Sequence, residues 1–399
     1  MQNSLSNTPK APLWLLAIIT IVGTLAMHMF IPALPDAAKH LGASSAQMQQ
    51  TITVYIVGLA VGQLIYGPMS DALGRRPMLL AGLSLYTVAS LCAALAPSAP
   101  MLVGARLLQA LGGCAGLALG RAVARDTATP ETAVGSLALL NLMMMIGPGV
   151  APSMGAGLDA LFGWRAIFAT LAVMGLLTAL GVWRLLPETG KPTGQLHWSK
   201  VRDDYRTLLS SPQFLGFAIG GGSATTSIYA FIAAAPFIFI DQLHASKTEV
   251  GIYLGLLMAG MAVGNALARK LIQRWPVEQL MLGGNLLSLL CVAILLVLAL
   301  TNHITVINVV GLMMIYTLGA GVTSPTALTK ALGVHTDLTG SSAGVYGFAQ
   351  MAVGGICTFG ASLGSNPALS AFTVLTLACI VGQLGFRSAL RHPKPAQQN

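Results

Sequence analysis

Apolar segments of about 20 residues recur along this whole chain, and they constrain its fold more than any other feature. A helix of about 20 residues is needed to cross the roughly 30 Å hydrocarbon core of a bilayer. Only 8% of the 399 residues are charged, whereas soluble domains carry about 25% because their surface faces water. Most of this surface must therefore face an apolar medium, which excludes a soluble enzyme. The segments lie near 12–34, 47–69, 77–96, 100–122, 133–157, 164–186, 212–240, 248–269, 277–300, 304–329, 339–363 and 367–389.

A polar, charged stretch at 187–211 divides these segments into two sets of six. It predicts an N-terminal six-helix bundle at 1–186, a cytoplasmic linker at 187–211 and a C-terminal six-helix bundle at 212–399. The period-two alternation of strands is absent. The predicted fold class is therefore an all-α integral membrane protein with about twelve spans.

The basic residues predict the orientation of the chain. With both termini in the cytoplasm, most of the 21 lysines and arginines fall in cytoplasmic connections, while Lys39, Arg165 and Lys247 fall on the opposite side. This asymmetry follows the positive-inside rule and explains the net charge of +9 by topology. No basic stripe is interleaved with aromatic residues, so no nucleic-acid partner is expected. The five cysteines lack metal-ligand spacing and no ATP-binding motif occurs, so neither a metal nor a nucleotide is predicted.

The connection between the second and third segments carries a compact motif of glycines and charges, formed by Gly67, Asp71, Gly74, Arg75 and Arg76. The eighth-to-ninth connection repeats it in degraded form at 264–270. The motif and the six-plus-six layout resemble the major facilitator superfamily over the whole chain. The resemblance implies two pseudo-symmetric bundles with a substrate site between them, and a gate that closes the cytoplasmic side. The alternative is that the motif only anchors the topology of the chain in the membrane and has no gating role. The gate residues would be Gly67, Asp71, Gly74, Arg75 and Arg76, with Asp126 from the end of the fourth helix.

The fourth segment contains an arginine within a span, which must face protein or water because lipid exposure is costly. Arg106 and Gln109 occupy the polar positions of a segment that resembles the superfamily's second motif, typical of proton-coupled members. The resemblance implies a role in proton coupling. The alternative is a structural arginine that pairs with backbone carbonyl groups.

The fifth segment is rich in glycine and proline, which bend helices and allow close interfaces. It resembles the motif that the drug/proton antiporter branch carries in this helix, and this favours export over import. An ordinary kinked span is the alternative. The motif positions are Gly147, Pro148, Gly149, Pro152, Gly155 and Gly157.

The end of the first segment, 26–36, and the stretch 162–168 resemble the bicyclomycin- and chloramphenicol-resistance (Bcr/CflA) group. That group usually has an aspartate where this sequence has His28. Counting 1.5 Å per residue places His28 and Arg106 at similar depth, about 5 Å to the periplasmic side of the midplane. Beside a guanidinium, His28 is expected to be neutral at rest and to titrate when the cavity hydrates. A hydrogen-bonded cavity histidine without a proton role is the alternative.

The remaining cavity candidates are polar or aromatic residues, since a small-molecule pocket needs apolar walls and few polar groups. Simple helix packing is the alternative for each. No carboxylate falls near mid-depth, which favours neutral, zwitterionic or anionic substrates over cations. The candidates are Tyr55, Asn141, Ser223, Thr226, Tyr229, Tyr253, Tyr316, Tyr346 and Gln350.

Together these features predict a monomeric exporter of small antibiotic-like compounds in a bacterial inner membrane. It would work by alternating access and would use the proton gradient rather than a cofactor. An uptake or export facilitator for a small metabolite is the first alternative. A membrane enzyme or receptor is the second, but no catalytic cluster or large signalling domain is visible in the sequence.

Overall fold

The computed structural model describes residues 12–127, 147, 149–190, 192, 194–195, 198–335 and 338–391, and every regular element within them is helical. The first half contains α1 (Leu13–Met29), α2 (Leu34–Leu41), α3 (Ser45–Leu73), α4 (Arg75–Ala94), α5 (Ala99–Thr127), α6 (149–162 in its described part) and α7 (Trp164–Leu185). The second half follows the linker helix α8 (Trp198–Leu209) and contains α9 (Pro212–Thr225), α10 (Ile228–Pro236), α11 (Lys247–Leu271), α12 (Val277–Leu300), α13 (Val306–Leu332), α14 (Thr339–Ser362) and α15 (Pro367–Arg391).

Ten of the described helical segments are long and apolar enough to cross a membrane. Two of these are composite. One runs from Leu13 through α1 and α2 to Leu41, and the other runs from Pro212 through α9 and α10 to Gln242. Helices α6 and α14 are not among these ten. Counted with them, they take the fifth and eleventh places and bring the described part of the chain to six helical segments in each half.

The first span of each half is interrupted, after 17 helical residues in α1 and 14 in α9. Helix α1 ends at Met29 and continues as a 3-10 turn at Ile31–Ala33, because Pro32 has no N–H to offer the preceding helical carbonyl groups. In the second half, α9 ends at Thr225 and α10 begins at Ile228, and a π-helical turn follows Pro236. The interruptions bring backbone and side-chain polar groups to the centre of the molecule.

The second span of each half begins with the same device. Ser44 caps α3, and its side chain and that of Gln47 exchange hydrogen bonds with each other's backbone N–H groups. Ser246 and Glu249 form the equivalent capping box at the start of α11. Such boxes satisfy N–H groups that the first helical turn leaves unpaired, and their matching positions agree with an internal repeat.

Helices approach closely within each half and between the halves. A methyl group on Gly23 of α1 would lie 2.6 Å from the carbonyl oxygen of Gly113 in α5, so these two backbones touch where only glycine fits. Between the halves, α3 packs along α14, where the Gln63 amide donates to the carbonyl oxygen of Gly347 at 3.4 Å. Helix α6 meets α11, with Gly251 against Ser153. These two seams leave a central space between the halves.

Candidate functional site

A cavity of about 1020 Å³ fills that central space. Its lining comes from α1, α3, the start of α4 and α5 in the first half, from the linker helix α8, and from the end of α9, α10, α11, α13 and α14 in the second half. At one end, which we call the mouth, it reaches Asp71 and Arg75 at the turn between α3 and α4. At the other, which we call the deep end, it stops beside His28 and Tyr229. The mouth is on the side that the sequence predicts to be cytoplasmic.

Beyond the deep end the two halves are joined by ion pairs. Lys247 of α11 pairs with Asp36 of α2 and, at 3.0 Å, with Asp159 of α6. We call these three residues the latch. The side chain of Asp159 is only 1% exposed, so the ammonium group compensates a buried charge. The latch therefore closes the end of the molecule opposite the mouth.

The linker helix α8 spans the mouth and bonds to both halves. Tyr205 donates its hydroxyl hydrogen to the carbonyl oxygen of Leu64 in α3 at 3.1 Å. Asp204 accepts from the hydroxyl of Ser341 in α14 at 2.9 Å. Burial, together with the charge of Asp204, raises the pKa of Tyr205, so its phenol stays protonated and remains a donor.

The deep end carries a second set of polar groups, separate from the charged residues of the mouth. The ring of His28 lies 6.3 Å from that of Tyr229 in an edge-on arrangement, and its Nδ1 is 2.8 Å from the carbonyl oxygen of Thr24. On the opposite wall, Gln350 donates from its side-chain amide to the hydroxyl of Thr225 at 3.1 Å. The hydroxyl of Thr226 donates to the backbone carbonyl of Gln350 at 2.5 Å. The two halves thus face each other here with small hydrogen-bonding groups.

Methionine and aliphatic side chains form the apolar wall around these groups. Met258 and Met261 of α11 lie one helical turn apart, and Met27 of α1 and Met351 of α14 add further thioethers. Sequence reasoning missed these methionines and also Gln63. The helical spacing of Met258 and Met261 is the only sequence signal that could have indicated that these two side chains lie on one face of α11.

Arg106 lies in a closed pocket of the first half rather than on the cavity surface. It is 0% exposed, and its guanidinium carbon sits 4.0 Å from the centre of the Tyr55 ring, with Phe30 and Phe168 at 5.6 and 5.7 Å. Such ring faces stabilise a buried cation. Its Nη1 donates to the carbonyl oxygen of Ala26 at 3.0 Å. Arg106 therefore supports α1 just before the break, near His28.

Gln109 extends this buried network away from the cavity. Its side-chain oxygen accepts from Arg106 at 2.7 Å, and its amide donates to the hydroxyl of Ser90 at 2.8 Å. The predicted pair therefore forms, but neither member is among the residues that line the cavity. The enclosing aromatic rings come from distant parts of the chain, which is why the sequence did not indicate that this pair is closed off from the cavity.

The predicted gate residues do meet at the mouth. Arg75 pairs with Asp71 at 2.7 Å and with Asp126 at 3.3 Å. Gly74 makes the turn with a φ of +101°, a conformation that favours glycine. Gly67 lines the mouth of the cavity.

Glu188, which sequence reasoning missed, organises the start of α4 beside this cluster. Its carboxylate accepts the backbone N–H groups of Arg75 at 2.8 Å and Arg76 at 3.1 Å. The guanidinium of Arg76 in turn donates to the carbonyl oxygen of Trp183 at 2.6 Å. All these groups belong to the first half or to the residues directly after it, so the described contacts of this cluster do not join the two halves.

The glycine-rich helix α6 lies between α1 and α11. Gly155 packs against the carbonyl oxygen of Met29, directly at the break in the first span, and Gly147 lies near Ile21. Gly149 faces Met258 of α11, and the carbonyl oxygen of Pro152 lies near Gly251 of the same helix. Gly157 faces open space, with no atom within 4 Å of a methyl group placed there. Pro148 and Asn141 lie outside the described residues.

The predicted cavity candidates divide into two groups. His28, Thr226, Tyr229, Tyr346 and Gln350 line the cavity. Tyr55, Ser223, Tyr253 and Tyr316 are not among its lining residues.

The second group packs between helices. Tyr55 donates to the carbonyl oxygen of Gly23 at 2.6 Å, and Tyr253 packs on Phe239 at 5.1 Å between ring centres. Tyr316 is 2.9 Å from the hydroxyl of Ser227, which donates to the backbone carbonyl of Ser223. The hydroxyl groups of Tyr55 and Tyr316 are thus engaged within the protein.

Comparison with known proteins places the whole chain in one family. The sequence profile of the Major Facilitator Superfamily matches residues 16–359. The MFS-type transporter YdgK of Bacillus subtilis is 28% identical over 391 residues, which cover 97% of each chain. A chloramphenicol resistance protein of Pseudomonas aeruginosa is 33% identical over 267 residues, 66% of this chain and 63% of that protein. The multidrug transporter MdfA of Yersinia pestis is 28% identical over 270 residues, 67% of this chain and 66% of that protein.

Solved structures agree on the fold. A bacterial homologue of the human lysosomal transporter Spinster superposes with a TM-score of 0.72 at 15% identity, covering 96% of this chain and 98% of that one. A D-xylose–proton symporter gives 0.71 at 15% identity, covering 95% of each chain. At this identity the likeness concerns the fold alone. It confirms the predicted all-α membrane architecture of two six-helix bundles.

Proposed function

The chain belongs to the major facilitator superfamily, and from this premise we propose that it exports small antibiotic-like compounds in exchange for protons. The observation that carries the proposal is the makeup of the cavity. Its deep end combines thioether and aliphatic walls with a few hydrogen-bonding groups, as sites for drug-sized ligands do. Among the described lining residues, carboxylates occur only at the mouth, as Asp71 and Asp204. Neutral, zwitterionic or anionic substrates are therefore favoured over cations.

The direction of transport rests on two further observations. Two of the similar proteins are named for chloramphenicol resistance and multidrug transport, which supports a drug exporter of the Bcr/CflA type. The glycine-rich motif of α6 lies against the break in the first span and against α11 of the other half. A motif at this seam is suited to control the relative movement of the halves.

Alternating access would proceed by rocking of the halves 1–186 and 212–399 about the α3–α14 and α6–α11 seams. In the present state the latch is closed, and the described ion pairs of Arg75 stay within the first half. Outward opening would break the ion pairs of Lys247, while the cluster around Arg75 would close the mouth. The transporter would act as a monomer in the bacterial inner membrane, with both termini in the cytoplasm.

In this scheme His28 binds and releases the exchanged proton, because it is the titratable imidazole at the cavity surface. Arg106 stays behind the aromatic rings of Tyr55, Phe30 and Phe168 and acts on α1 through Ala26. Gln109 holds the guanidinium in place. The proton gradient supplies the energy, and no cofactor takes part.

Substrate-induced proton movement in everted vesicles tests the proposal. Vesicles acidified inside are given a phenicol, a sulfonamide or a cationic dye, and loss of the proton gradient is followed with a pH-sensitive dye. Wild type should release protons with the phenicol, and His28→Ala should not, whereas His28→Asp should retain release because it restores a titratable group.

Two outcomes would count against parts of the scheme. If release survives His28→Ala and fails in Arg106→Ala, the histidine does not carry the proton. If no compound moves protons, antiport is wrong, and counterflow of labelled substrate in both directions then tests a facilitator.

A further inference from the structure

The three charged groups of the latch do not balance one another. The ammonium group of Lys247 is positive, whereas Asp36 and Asp159 are both acids, and both contact this one ammonium group. The two carboxyl groups also lie within hydrogen-bonding range of each other. When both acids are ionised, the closed latch therefore holds one uncompensated negative charge between the two halves.

Burial makes this charge costly. The side chain of Asp159 is only 1% exposed, and its Oδ1 is buried without a hydrogen-bond partner among the described residues. A buried carboxylate oxygen that accepts no hydrogen bond loses the stabilisation that water would give it. A proton shared between the two carboxyl groups removes the excess charge and turns one acid into a hydrogen-bond donor to the other.

Other charged side chains and imidazoles lie near the latch without entering it. They are Lys39 and His40 on α2, Asp241 and His244 before α11, Glu249 on α11 and Arg165 at the start of α7. All of them except Arg165 are exposed, and Arg165 donates to the carbonyl oxygen of Ala96. Among the described residues, only Asp36 and Lys247 act on Asp159 by charge. A proton bound in the latch is therefore held by its two acids.

The closed and the open latch differ in their affinity for this proton. In the closed latch, burial and the neighbouring Asp36 raise the pKa of Asp159, although Lys247 opposes them. In the open latch water hydrates the acid, whose pKa then returns to about 3.9. A raised pKa in one state stabilises that state at low pH, and this stabilisation is lost as the pH rises through the raised value. Acid is therefore expected to favour the closed latch.

We propose that the latch is a regulatory proton site, in which Asp36 and Asp159 share one proton that stabilises the closed latch. The latch residues are not among those that line the cavity, and Asp36 and Lys247 are about one third exposed at the end opposite the mouth. The proton thus enters from that side, which the sequence predicts to be periplasmic, and returns to it. It sets how readily this end opens and is not itself transported, so the inference is independent of proton exchange at His28.

The test follows the distance across the latch in the purified full chain in detergent, without substrate or gradient. Spin labels are attached to cysteines at Leu161, near the end of α6, and at Leu363, after α14, since both positions are exposed. Cys92, which is partly exposed, is replaced by serine in every sample, and the other native cysteines are buried. The ratio of closed to open populations is measured between about pH 8 and about pH 4.5.

In wild type this ratio should rise about threefold over that range, as expected if the closed state binds the proton about tenfold more tightly than the open state. Asp159→Asn mimics the protonated acid, so its ratio at about pH 8 should already exceed that of wild type at least threefold and should not depend on pH. Asp36→Asn carries the same charge at a half-buried position and is the second variant, should Asp159→Asn fail to fold. Thermal unfolding verifies that each variant is folded.

The double variant His40→Gln/His244→Asn is the matched control, because it removes the two nearby imidazoles and leaves the latch intact. It should respond to pH as wild type does. A wild-type ratio that does not change with pH or that falls in acid, or a response that persists in both aspartate variants or disappears in the histidine control, would overturn the inference. If the response is present but no compound moves protons in vesicles, only the proposed antiport is wrong.

Discussion

The ammonium group of Lys247 in α11 lies 3.0 Å from a carboxylate oxygen of Asp159 in α6, and the same ammonium pairs with Asp36 in α2. An exposed ion pair contributes only about 0–1 kcal/mol. Here, however, the Asp159 side chain is 1% exposed, and a buried carboxylate that loses its partner is strongly destabilising. One lysine of the second half therefore holds two helices of the first half, at the end of the molecule opposite the mouth.

Replacing Lys247 with methionine is expected to favour opening at the latch. Asp159 and Asp36 would be left without their cation, and hydration on opening would relieve the buried charge. We expect about a tenfold shift in the populations of the closed and open states, or ~1.4 kcal/mol. Spin labels on cysteines at the exposed positions Lys39 and Thr248 report the distance across this end, and a longer-distance population should grow.

Lys330→Met is the matched control for this experiment. Lys330 pairs with Glu278 within the second half, and its side chain is 32% exposed, the same as that of Lys247. Its loss should leave the distance distribution unchanged, because the pair does not join the two halves. An unchanged distribution in Lys247→Met, or an equal change in the control, would contradict the latch.

Gly155→Ala is expected to disturb the break in the first span, whereas Gly157→Ala in the same helix is not. A methyl group on Gly155 would overlap the carbonyl oxygen of Met29, which belongs to the backbone and cannot turn aside. Overpacking of this kind costs about 1–3 kcal/mol. Gly157 has open space, so alanine there should be neutral or stabilise the helix by about 0.5–1 kcal/mol. The measurements are the unfolding temperature in detergent and phenicol uptake into vesicles; equal behaviour of the two variants would refute the packing argument.

The fold could be predicted because the bilayer imposes a length on every span. The apolar segments show the length that the bilayer imposes, and the polar linker and the basic residues mark the connections between spans. Each of these signals can be recognised within about 20 residues of sequence. The charged turn could also be predicted, because the residues that make its contact are close together in the sequence. Asp71 and Arg75 stand one helical turn apart in the sequence, so their contact at 2.7 Å is a local one.

The contacts that the sequence could not predict join residues far apart in the chain. Glu188 caps α4 across more than 110 positions, and Lys247 meets Asp36 from the other half. Arg106 could be assigned to the protein interior because lipid exposure is costly. Its separation from the cavity depends on rings of α3 and α7, which only the packing of the helices brings together.

Glu188→Gln is expected to loosen the first turn of α4. The carboxylate accepts two backbone N–H groups at this helix N-terminus, where a negative charge is favourable. Loss of the charge should destabilise the turn by about 1 kcal/mol, which hydrogen–deuterium exchange at Arg76 and Met78 would register as faster exchange.

Asp203→Asn in α8 provides the comparison for Glu188→Gln. Asp203 pairs only weakly with exposed Arg202, at 3.4 Å, so its neutralisation should leave exchange in α4 as in wild type. Faster exchange in both variants, or in neither, would argue that Glu188 does not hold this turn.

Arg106→Ala is expected to destabilise the first half, and Arg165→Ala supplies the matched comparison. Both arginines donate to a backbone carbonyl at 3.0 Å and lie over an aromatic ring. Arg106 is fully buried, whereas Arg165 is only half-buried. Removing Arg106 leaves the Ala26 carbonyl without this donor, at a cost of about 1–3 kcal/mol, and adds a cavity among the rings.

We therefore expect the unfolding temperature of Arg106→Ala to fall by about 5–10 °C and that of Arg165→Ala by roughly half as much. Arg106→Lys should be intermediate, since it keeps a donor and the charge but loses the planar contact with Tyr55. If Arg106→Ala instead unfolds at the wild-type temperature and yet moves no protons in vesicles, its charge acts in coupling rather than in support of α1. That result would mean that Arg106 takes part in the transport mechanism, although it lies behind the cavity wall.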